Sequence, residues 1–359
     1  MLKRFITAMS IAAVATSAYA QDSSSVSPLE ISGSVDAYYK YDFSNQKGGS
    51  GNIPTYFNSD NNSISLGMID VMLKKSTGKA SFVGELSFGP RGQFQSIPNG
   101  DGFDGNSFHI QNLYMTYAFT DKFSMTGGYM GTFIGYEVIS PVANFNYSTS
   151  YLFGAGPFQN AGIKANFTLS DQVGLMVGVF NDWNVYKDYN GVSHFGAQLS
   201  LAPVEGWTAY INVLTGRSAS VGETPGAEVL GSGTILDLTT AYQITPAFKL
   251  GLNAADYSMP HDNAGGAGYS GVALYPQYAV SENFILGLRG EYFTTKDVAE
   301  VSGESVKAFT LTANLKAGGL TFIPELRLDN SSDAEKFLKK NGDFTKSASQ
   351  FSLAAVYAF

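Results

Sequence analysis

Three histidines, His109, His194 and His261, are the only imidazoles in a chain of 359 residues, and cysteine is absent. A thiolate nucleophile, a disulfide framework and a thiolate metal site are thereby excluded. Only His194, beside Ser193, stands on a strand-like segment with a hydroxyl nearby. Adjacent residues of a strand face opposite sides, so no nucleophile and base share a surface. The oxygen-rich stretches Asp60-Asn61-Asn62 and Asp101-Gly102-Phe103-Asp104-Gly105-Asn106 lack the ligand spacing of a calcium loop and read as solvated turns. No catalytic, metal-ligating or cofactor-binding residue is assigned, and an enzyme is not expected.

What the sequence does hold is charge spaced along alternating segments. Asp36, Lys40, Asp42, Glu85, Lys164, Asp237, Lys249, Asp256, Arg289, Glu291, Lys316, Glu325 and Arg327 sit where a barrel strand would turn its wet face. Their mixed signs argue against a filter made of one kind of charge.

Such residues need strands to position them. From Ile31 to Phe43 the odd positions are Ile, Gly, Val, Ala, Tyr, Tyr and Phe, while the even ones include Ser32, Ser34, Asp36, Lys40 and Asp42. That period of two makes one face fit for lipid and the other for water. The pattern recurs at Ala80 to Phe88, Phe123 to Tyr129, Ile163 to Leu169, Phe284 to Tyr292 and Leu320 to Leu328, the last carrying Pro324, which costs a ladder bond. With fainter segments the count is about 16 antiparallel strands. In the second strand Ile64, Leu66 and Met68 lie on one parity and Ile69, Val71 and Leu73 on the other, which a bulge would reconcile.

Connections alternate in length. Tight turns such as Ser76-Thr77-Gly78, Thr120-Asp121-Lys122 and Ala317-Gly318-Gly319 separate longer polar loops near 44–61, 89–106, 133–161, 183–192, 216–232, 258–268, 295–306 and 329–349. Short turns at one rim and long loops at the other describe an all-β, up-and-down transmembrane barrel with periplasmic turns and external loops. Phe119 with Phe123, Tyr242 with Phe248, Tyr278 with Phe284, and Trp207 gather at the short-turn rim as an aromatic girdle. A secreted β-sandwich with an aromatic core is the competing arrangement.

Lys3 and Arg4, the apolar stretch Phe5 to Val14, and Ala18-Tyr19-Ala20 have the order of a cleaved secretory signal, giving a signal peptide at 1–20 and a barrel over 21–359. The mature chain then carries 20 Lys+Arg against 30 Asp+Glu, a net charge of −10, which disfavours a nucleic-acid partner. No run of 18 apolar residues writes a membrane-spanning helix. No plug domain precedes the first strand, which disfavours an energised transporter.

The last strand, with Phe351, Leu353, Ala355, Tyr357 and terminal Phe359, resembles the C-terminal signature read by the barrel assembly machinery; Phe351, Tyr357 and Phe359 are its assembly-signal residues. The segment Gly127 to Asn184 resembles the OmpL-like β-barrel porins of Bacteroidetes and relatives, in Gly135-Tyr136-Glu137, Asn146-Tyr147-Ser148 with Ser150, Pro157-Phe158, and Asn181 with Trp183. Asp182 stands where that pattern carries a glycine. The resemblance implies an outer-membrane channel, with outer-membrane lipid, the assembly machinery and small polar solutes as partners, and by analogy a homotrimer.

Sixteen strands leave an aqueous channel where eight would be filled. The longest loop, Thr132 to Gln159, follows the fifth strand, from which general porins fold a loop inward, and Glu137 is the single charge in its 28 residues. By that resemblance Glu137, Tyr136 and Tyr147 are the candidate constriction, with Asp36, Lys40, Glu85, Lys164, Arg289, Glu291, Glu325 and Arg327 the candidate wall. A loop packed on its own aromatics over the barrel mouth is the other arrangement. Passive diffusion of small hydrophilic solutes, with a weak preference for cations from Glu137, is the expected function. A structural or adhesive outer-membrane barrel without an open channel is the alternative.

Overall fold

The computed structural model describes residues 27–44, 51–93, 110–185, 188, 191–219, 229–259, 267–297 and 301–359. The expected signal peptide at 1–20, His109, His261 and the stretch Asp101 to Asn106 lie outside the described residues. Strands are β1 (Glu30–Asp42), β2 (Ser63–Thr77), β3 (Ala80–Phe88), β4 (Ile110–Thr120), β5 (Phe123–Gly131), β6 (Gln159–Ser170), β7 (Val173–Phe180), β8 (His194–Leu201) and β9 (Trp207–Ala219). They continue as β10 (Val229–Gln243), β11 (Phe248–Met259), β12 (Ala267–Ser281), β13 (Phe284–Thr295), β14 (Ser305–Ala317), β15 (Leu320–Ser331), a loop hairpin β16 (Phe337–Leu338) and β17 (Phe344–Thr345), and β18 (Ser347–Ala358). Two short helices, α1 (Pro90–Gln93) and α2 (Tyr151–Ala155), lie in loops.

Sixteen of the strands, all but the β16–β17 hairpin, pair in sequence, each antiparallel to the next, and β18 returns to β1 to close a barrel. Closure leaves no open edge, and the spanning backbone finds its hydrogen-bond partners on neighbouring strands. The seam is finished at the terminus, where Phe359 and Gly33 exchange two backbone hydrogen bonds of 3.0 Å each. A Cβ at Gly33 would run into the Phe359 ring and the carbonyl of Asp70, so only glycine lets the strands approach there. Among the described residues no helix is long and apolar enough to cross a membrane.

Alternation is realised as two chemically distinct surfaces. Ile64, Leu66, Leu113, Met115, Ile163, Val179, Leu236, Phe309, Leu311 and Leu328 are exposed on the outside, while Asp36, Lys40, Glu85, Asp237, Arg289, Glu291, Glu325 and Arg327 are buried inside. The girdle residues touch one another at the short-turn rim: Phe119 stacks on Phe123 at 5.1 Å, Phe123 on Phe167 at 5.0 Å, and Trp207 leans on Tyr242 at 5.6 Å. Trp207 also donates its indole N–H to Thr240 Oγ1 at 2.8 Å, so the ring has an apolar body and a satisfied polar edge.

The bulge expected in the second strand is present. Val35 pairs with Ile69 but Ala37 pairs with Leu66, so β2 spends one residue more than β1. Asp36 fills the gap, its Oδ1 accepting from the Met68 N–H at 2.8 Å. The two wall prolines are accommodated by omission. The β14–β15 ladder skips Ile323 and Pro324, and the β12–β13 ladder skips Tyr275 and Pro276, so the missing donor falls where no rung is made.

One wall residue is corrected. Asp256 faces outward near the external rim, where its exposed carboxylate accepts from Lys296 Nζ at 2.7 Å. Asn253, buried on the inner face, sets the parity, and Asp256 is three residues on, hence on the other side.

Candidate functional site: the loop that crosses the barrel

The segment from Thr132 to Phe158, here called L3, leaves β5 and re-enters at β6, with the Thr132 N–H donating to the Phe158 carbonyl at 3.0 Å across its neck. Between those ends it runs through the lumen. Its first limb passes β8, β10 and β11. Gln198 donates to the Phe133 carbonyl at 3.4 Å, Asp237 accepts from the Gly135 N–H at 3.0 Å, and Tyr136 lies on Gly251 and stacks on Tyr275 at 4.5 Å. Asn144 folds back on Val138, accepting at 2.9 Å and donating at 2.6 Å, which closes the bend.

The second limb is fastened by carboxylates and guanidiniums of the opposite wall. Glu325 accepts from the backbone N–H groups of Tyr147 (2.8 Å) and Ser148 (2.9 Å) and from Thr312 Oγ1 (2.9 Å). Glu291 accepts from the N–H groups of Tyr151 (3.0 Å) and Leu152 (2.8 Å), the first two residues of α2, while Ser150 caps the same helix by accepting from Phe153 at 3.0 Å. A carboxylate beside the free N–H groups of a helix start is favoured by their aligned dipoles. Asn314 donates to the Phe145 carbonyl at 2.9 Å and Asn146 to Thr312 at 2.6 Å.

Two arginines complete the fastening. Arg289 pairs with Glu137 at 2.7 Å and donates to the Ser148 carbonyl at 2.5 Å, with both partners buried. Arg327 grips Asp329 through Nε (2.8 Å) and Nη2 (3.0 Å) and gives Nη1 to the Thr149 carbonyl at 2.7 Å. The second Glu137 oxygen accepts from the Ser150 N–H at 2.7 Å, so Glu137 ties the two limbs of L3 to each other as well as to the wall. Small wall residues make the room. A Cβ at Gly287 would strike Phe145, one at Gly271 would meet Leu152, and one at Gly196 would meet Phe133. Between Ile134, Gly135 and Leu152 of the loop and Ile235, Asp237 and Asn253 of the wall a void of about 10 Å³ remains, room for at most one water.

The loop's three sequence-derived constriction residues are thus all inside the barrel, but not together. Tyr136 and Glu137 lie toward β11–β13, whereas Tyr147 lies against β1 and β15, donating its hydroxyl to Asp36 Oδ2 at 2.5 Å. Burial first, and the Glu137 charge second, push the Tyr136 hydroxyl up to about 12, and burial likewise raises Tyr147, so both remain protonated hydroxyls at neutral pH. Of the eight wall residues, Arg289, Glu291, Glu325 and Arg327 hold L3, and Asp36 holds Tyr147 and the bulge. Lys40 donates to the Ser59 carbonyl of the first loop at 2.6 Å, and Glu85 accepts from Asn112. Lys164 is the one of the eight that has no hydrogen bond or ion pair among the described residues.

Three participants escaped sequence reasoning. Asp70 faces inward and accepts from Ser34, its parity switched by the β2 bulge. Asp329 lies one residue past the expected end of its strand. Arg91, from a loop, donates to the Ile139 carbonyl at 2.9 Å and sits between the rings of Phe57 (4.3 Å) and Tyr147 (4.8 Å). No periodicity marks a loop residue of that kind.

The family model described as "Putative beta-barrel porin-2, OmpL-like" matches residues 28–359. The chain belongs to this porin family. It is an outer-membrane β-barrel protein. No curated protein sequence matches it. Its fold is similar to the outer membrane channel DcaP of Acinetobacter baumannii, at 14% identity and TM-score 0.62, covering 92% of this chain and 97% of that one. It is also similar to OmpF of Salmonella typhi, at 12% identity and TM-score 0.60 over 92% and 97%. A third similar fold is OmpT of Vibrio cholerae in its trimer form, at 13% identity and TM-score 0.59 over 92% and 99%.

Proposed function

We propose that this porin passes small hydrophilic solutes by passive diffusion through a lumen that L3 narrows, with Tyr136, Glu137 and Tyr147 bordering the narrowed passage. The observation that carries this reading is the fastening of L3 inside a sixteen-stranded wall, since an unobstructed barrel of that size is a wide aqueous pore. A loop so tightly packed favours a modest, size-limited conductance over a wide one. Reconstitution of the full chain in planar bilayers, with a series of uncharged solutes of rising size, tests it. Ohmic conductance that falls as solutes approach the cut-off supports the reading. Absence of conductance from correctly folded protein removes it and favours a structural barrel. A homotrimer is the assembly we propose, by analogy with the trimeric neighbour, and native mass spectrometry in detergent decides between it and a monomer. The terminal residues Phe351 and Tyr357, on the outer face of β18, and the exposed Phe359 just past its end are proposed as the signal for assembly.

A further inference from the structure

We propose that the periplasmic underside of L3 carries a binding station for small oxyanions, a carboxylate or a phosphate group, formed by Lys249, Gln277 and the hydroxyl of Tyr136. The inference rests on the reading of the barrel as a diffusion channel and names the solute class that such a channel would favour.

Three observations converge on the place. Lys249 and Gln277 are direct cross-strand partners at the periplasmic ends of β11 and β12. They share the inward parity of the buried Asn253 and Tyr275, so their side chains leave the wall side by side, with Cβ atoms roughly 5 Å apart. Two residues deeper on β11 is Gly251, and the Tyr136 ring lies against it with its hydroxyl end closest. Two strand residues advance about 7 Å, which is close to the span of a carboxylate or phosphate that accepts from a donor at each end.

Two polar atoms at this place, one on Tyr136 and one on Gln277, are unsatisfied. Tyr136 is 7% exposed and Gln277 8%, yet the Tyr136 hydroxyl and Gln277 Nε2 have no hydrogen-bond partner among the described residues. A buried donor left unpaired is costly, so such groups in a native protein signal a missing partner such as water or a ligand. What they have in common with Lys249 is the ability to donate. A protonated tyrosine hydroxyl, an amide N–H and an ammonium call for an acceptor with several lone pairs and a negative charge. No carboxylate among the described residues hydrogen-bonds to either unsatisfied atom, whereas the carboxylates of L3 and of the β13–β15 wall are engaged by guanidiniums and backbone N–H groups. Lys164, inward on β6 and without an ion pair among the described residues, adds to the same sign of field in the lumen.

The test uses the full chain in planar bilayers in potassium chloride, with potassium acetate or inorganic phosphate added as the probe and erythritol or tetramethylammonium chloride as controls. Both oxyanions should lower the chloride current in a saturable way, and the controls should not. Lys249→Gln should raise the half-effect concentration about tenfold, the loss expected for one charge-assisted hydrogen bond. Tyr136→Phe, which keeps the stacked ring, should raise it less, and Lys249→Arg should restore it. An oxyanion effect unchanged in Lys249→Gln, or matched by tetramethylammonium, overturns the proposal. Calorimetric titration of detergent-folded protein with phosphate gives a readout that needs no current: binding that Lys249→Gln weakens supports the station, and no binding to the wild type overturns it. Chloride conductance without any oxyanion effect removes this inference alone, whereas absence of conductance removes the channel reading.

Discussion

The wall of β12 to β15 with β1 and the wall of β5 to β8 follow one strand pattern but use their inward polar groups differently. On the first, Asp36, Glu291, Arg289, Glu325 and Arg327 are all bonded to L3. On the second, Thr126 bonds Thr116 at 2.9 Å, Gln198 bonds Asn212 at 2.8 Å and the Phe133 carbonyl of L3 at 3.4 Å, and Lys164 projects without a partner among the described residues. Alternating charge in a barrel strand therefore has two employments, anchoring a loop and facing the solute, and the period of two does not separate them. Only the partner does.

The largest expected effect comes from removing what the anchoring wall holds. Replacing residues 138–154 by a short Gly-Ser link leaves all sixteen ladders intact, because none of those residues takes part in them. Single-channel conductance should rise several-fold, and the size cut-off should move upward. Conductance equal to the wild type would mean that L3 does not limit the passage.

Next in size is the buried pair. Arg289→Met leaves the Glu137 carboxylate without its counter-charge inside the barrel, a change that typically costs about 3–5 kcal/mol. Most of this should appear as release of L3, seen as faster proteolysis within 132–158 and a noisier current. Glu137→Leu in the Arg289→Met background should recover a large part, since an apolar pair of similar volume avoids the desolvation penalty. A double-mutant cycle with no coupling would break the assignment of this wall as the anchor. Substitution of Asn166 on the opposite wall should change stability by no more than about 0.5 kcal/mol.

That asymmetry also explains how much was legible in the sequence. The strands, their alternation, the short-turn rim and the β2 bulge follow from residue type at period two, because lipid on one side and water on the other impose that period. The inward placement of Asp36, Glu85, Lys164, Arg289, Glu291, Glu325 and Arg327 followed by parity alone. What parity could not supply was the third dimension. Whether Glu325 meets solvent or the N–H groups of Tyr147 and Ser148 depends on loop residues 178 and 177 positions away in the chain. The omission of Asp70 comes from the register shift at the β2 bulge, which only pairing reveals, whereas Asp256 stands in an unbroken ladder and an odd number of residues from the inward Lys249 and Asn253, so parity itself turns it outward.

The outer surface offers a comparison of the second kind. Val179 is exposed to lipid and pairs with the outward Ile163. Val179→Arg should cost about 2–4 kcal/mol in folding into lipid vesicles, and Asn166→Arg, on the lumen face of β6, much less. Gly178 is not a suitable control, because a Cβ there would press on the Phe180 ring and the Ile163 carbonyl. Equal losses for Val179→Arg and Asn166→Arg would break the parity of β6 and β7. Deleting Phe359 should leave the protein exported but poorly inserted, for it removes an outward ring and both bonds that tie the terminus to Gly33. Normal outer-membrane levels of the truncated chain would deny that residue a leading role.

The smallest effect sharpens the comparison most, because it changes one charge on each wall. Read as a lone carboxylate, Glu137 should draw cations, and Glu137→Gln should merely weaken that preference. Paired at 2.7 Å with Arg289, its field is largely cancelled, and neutralising it exposes the guanidinium instead. The reversal potential under a salt gradient should then move toward anions. Lys164 has no such partner among the described residues, so no paired carboxylate there cancels its charge, and Lys164→Gln should move the reversal potential toward cations. A charge inside low-dielectric walls is screened less than one at the open rim, so both shifts should persist at ionic strengths that abolish the effect of changing Lys316 at the exposed periplasmic end. Charge-neutralising changes on the two walls thus act in opposite directions, Glu137→Gln by uncovering a cation and Lys164→Gln by removing one. If Lys164→Gln leaves the reversal potential unmoved while Glu137→Gln shifts it, the solute passes along the anchoring wall and the free wall is a bystander; the converse result places the passage along β5 to β8.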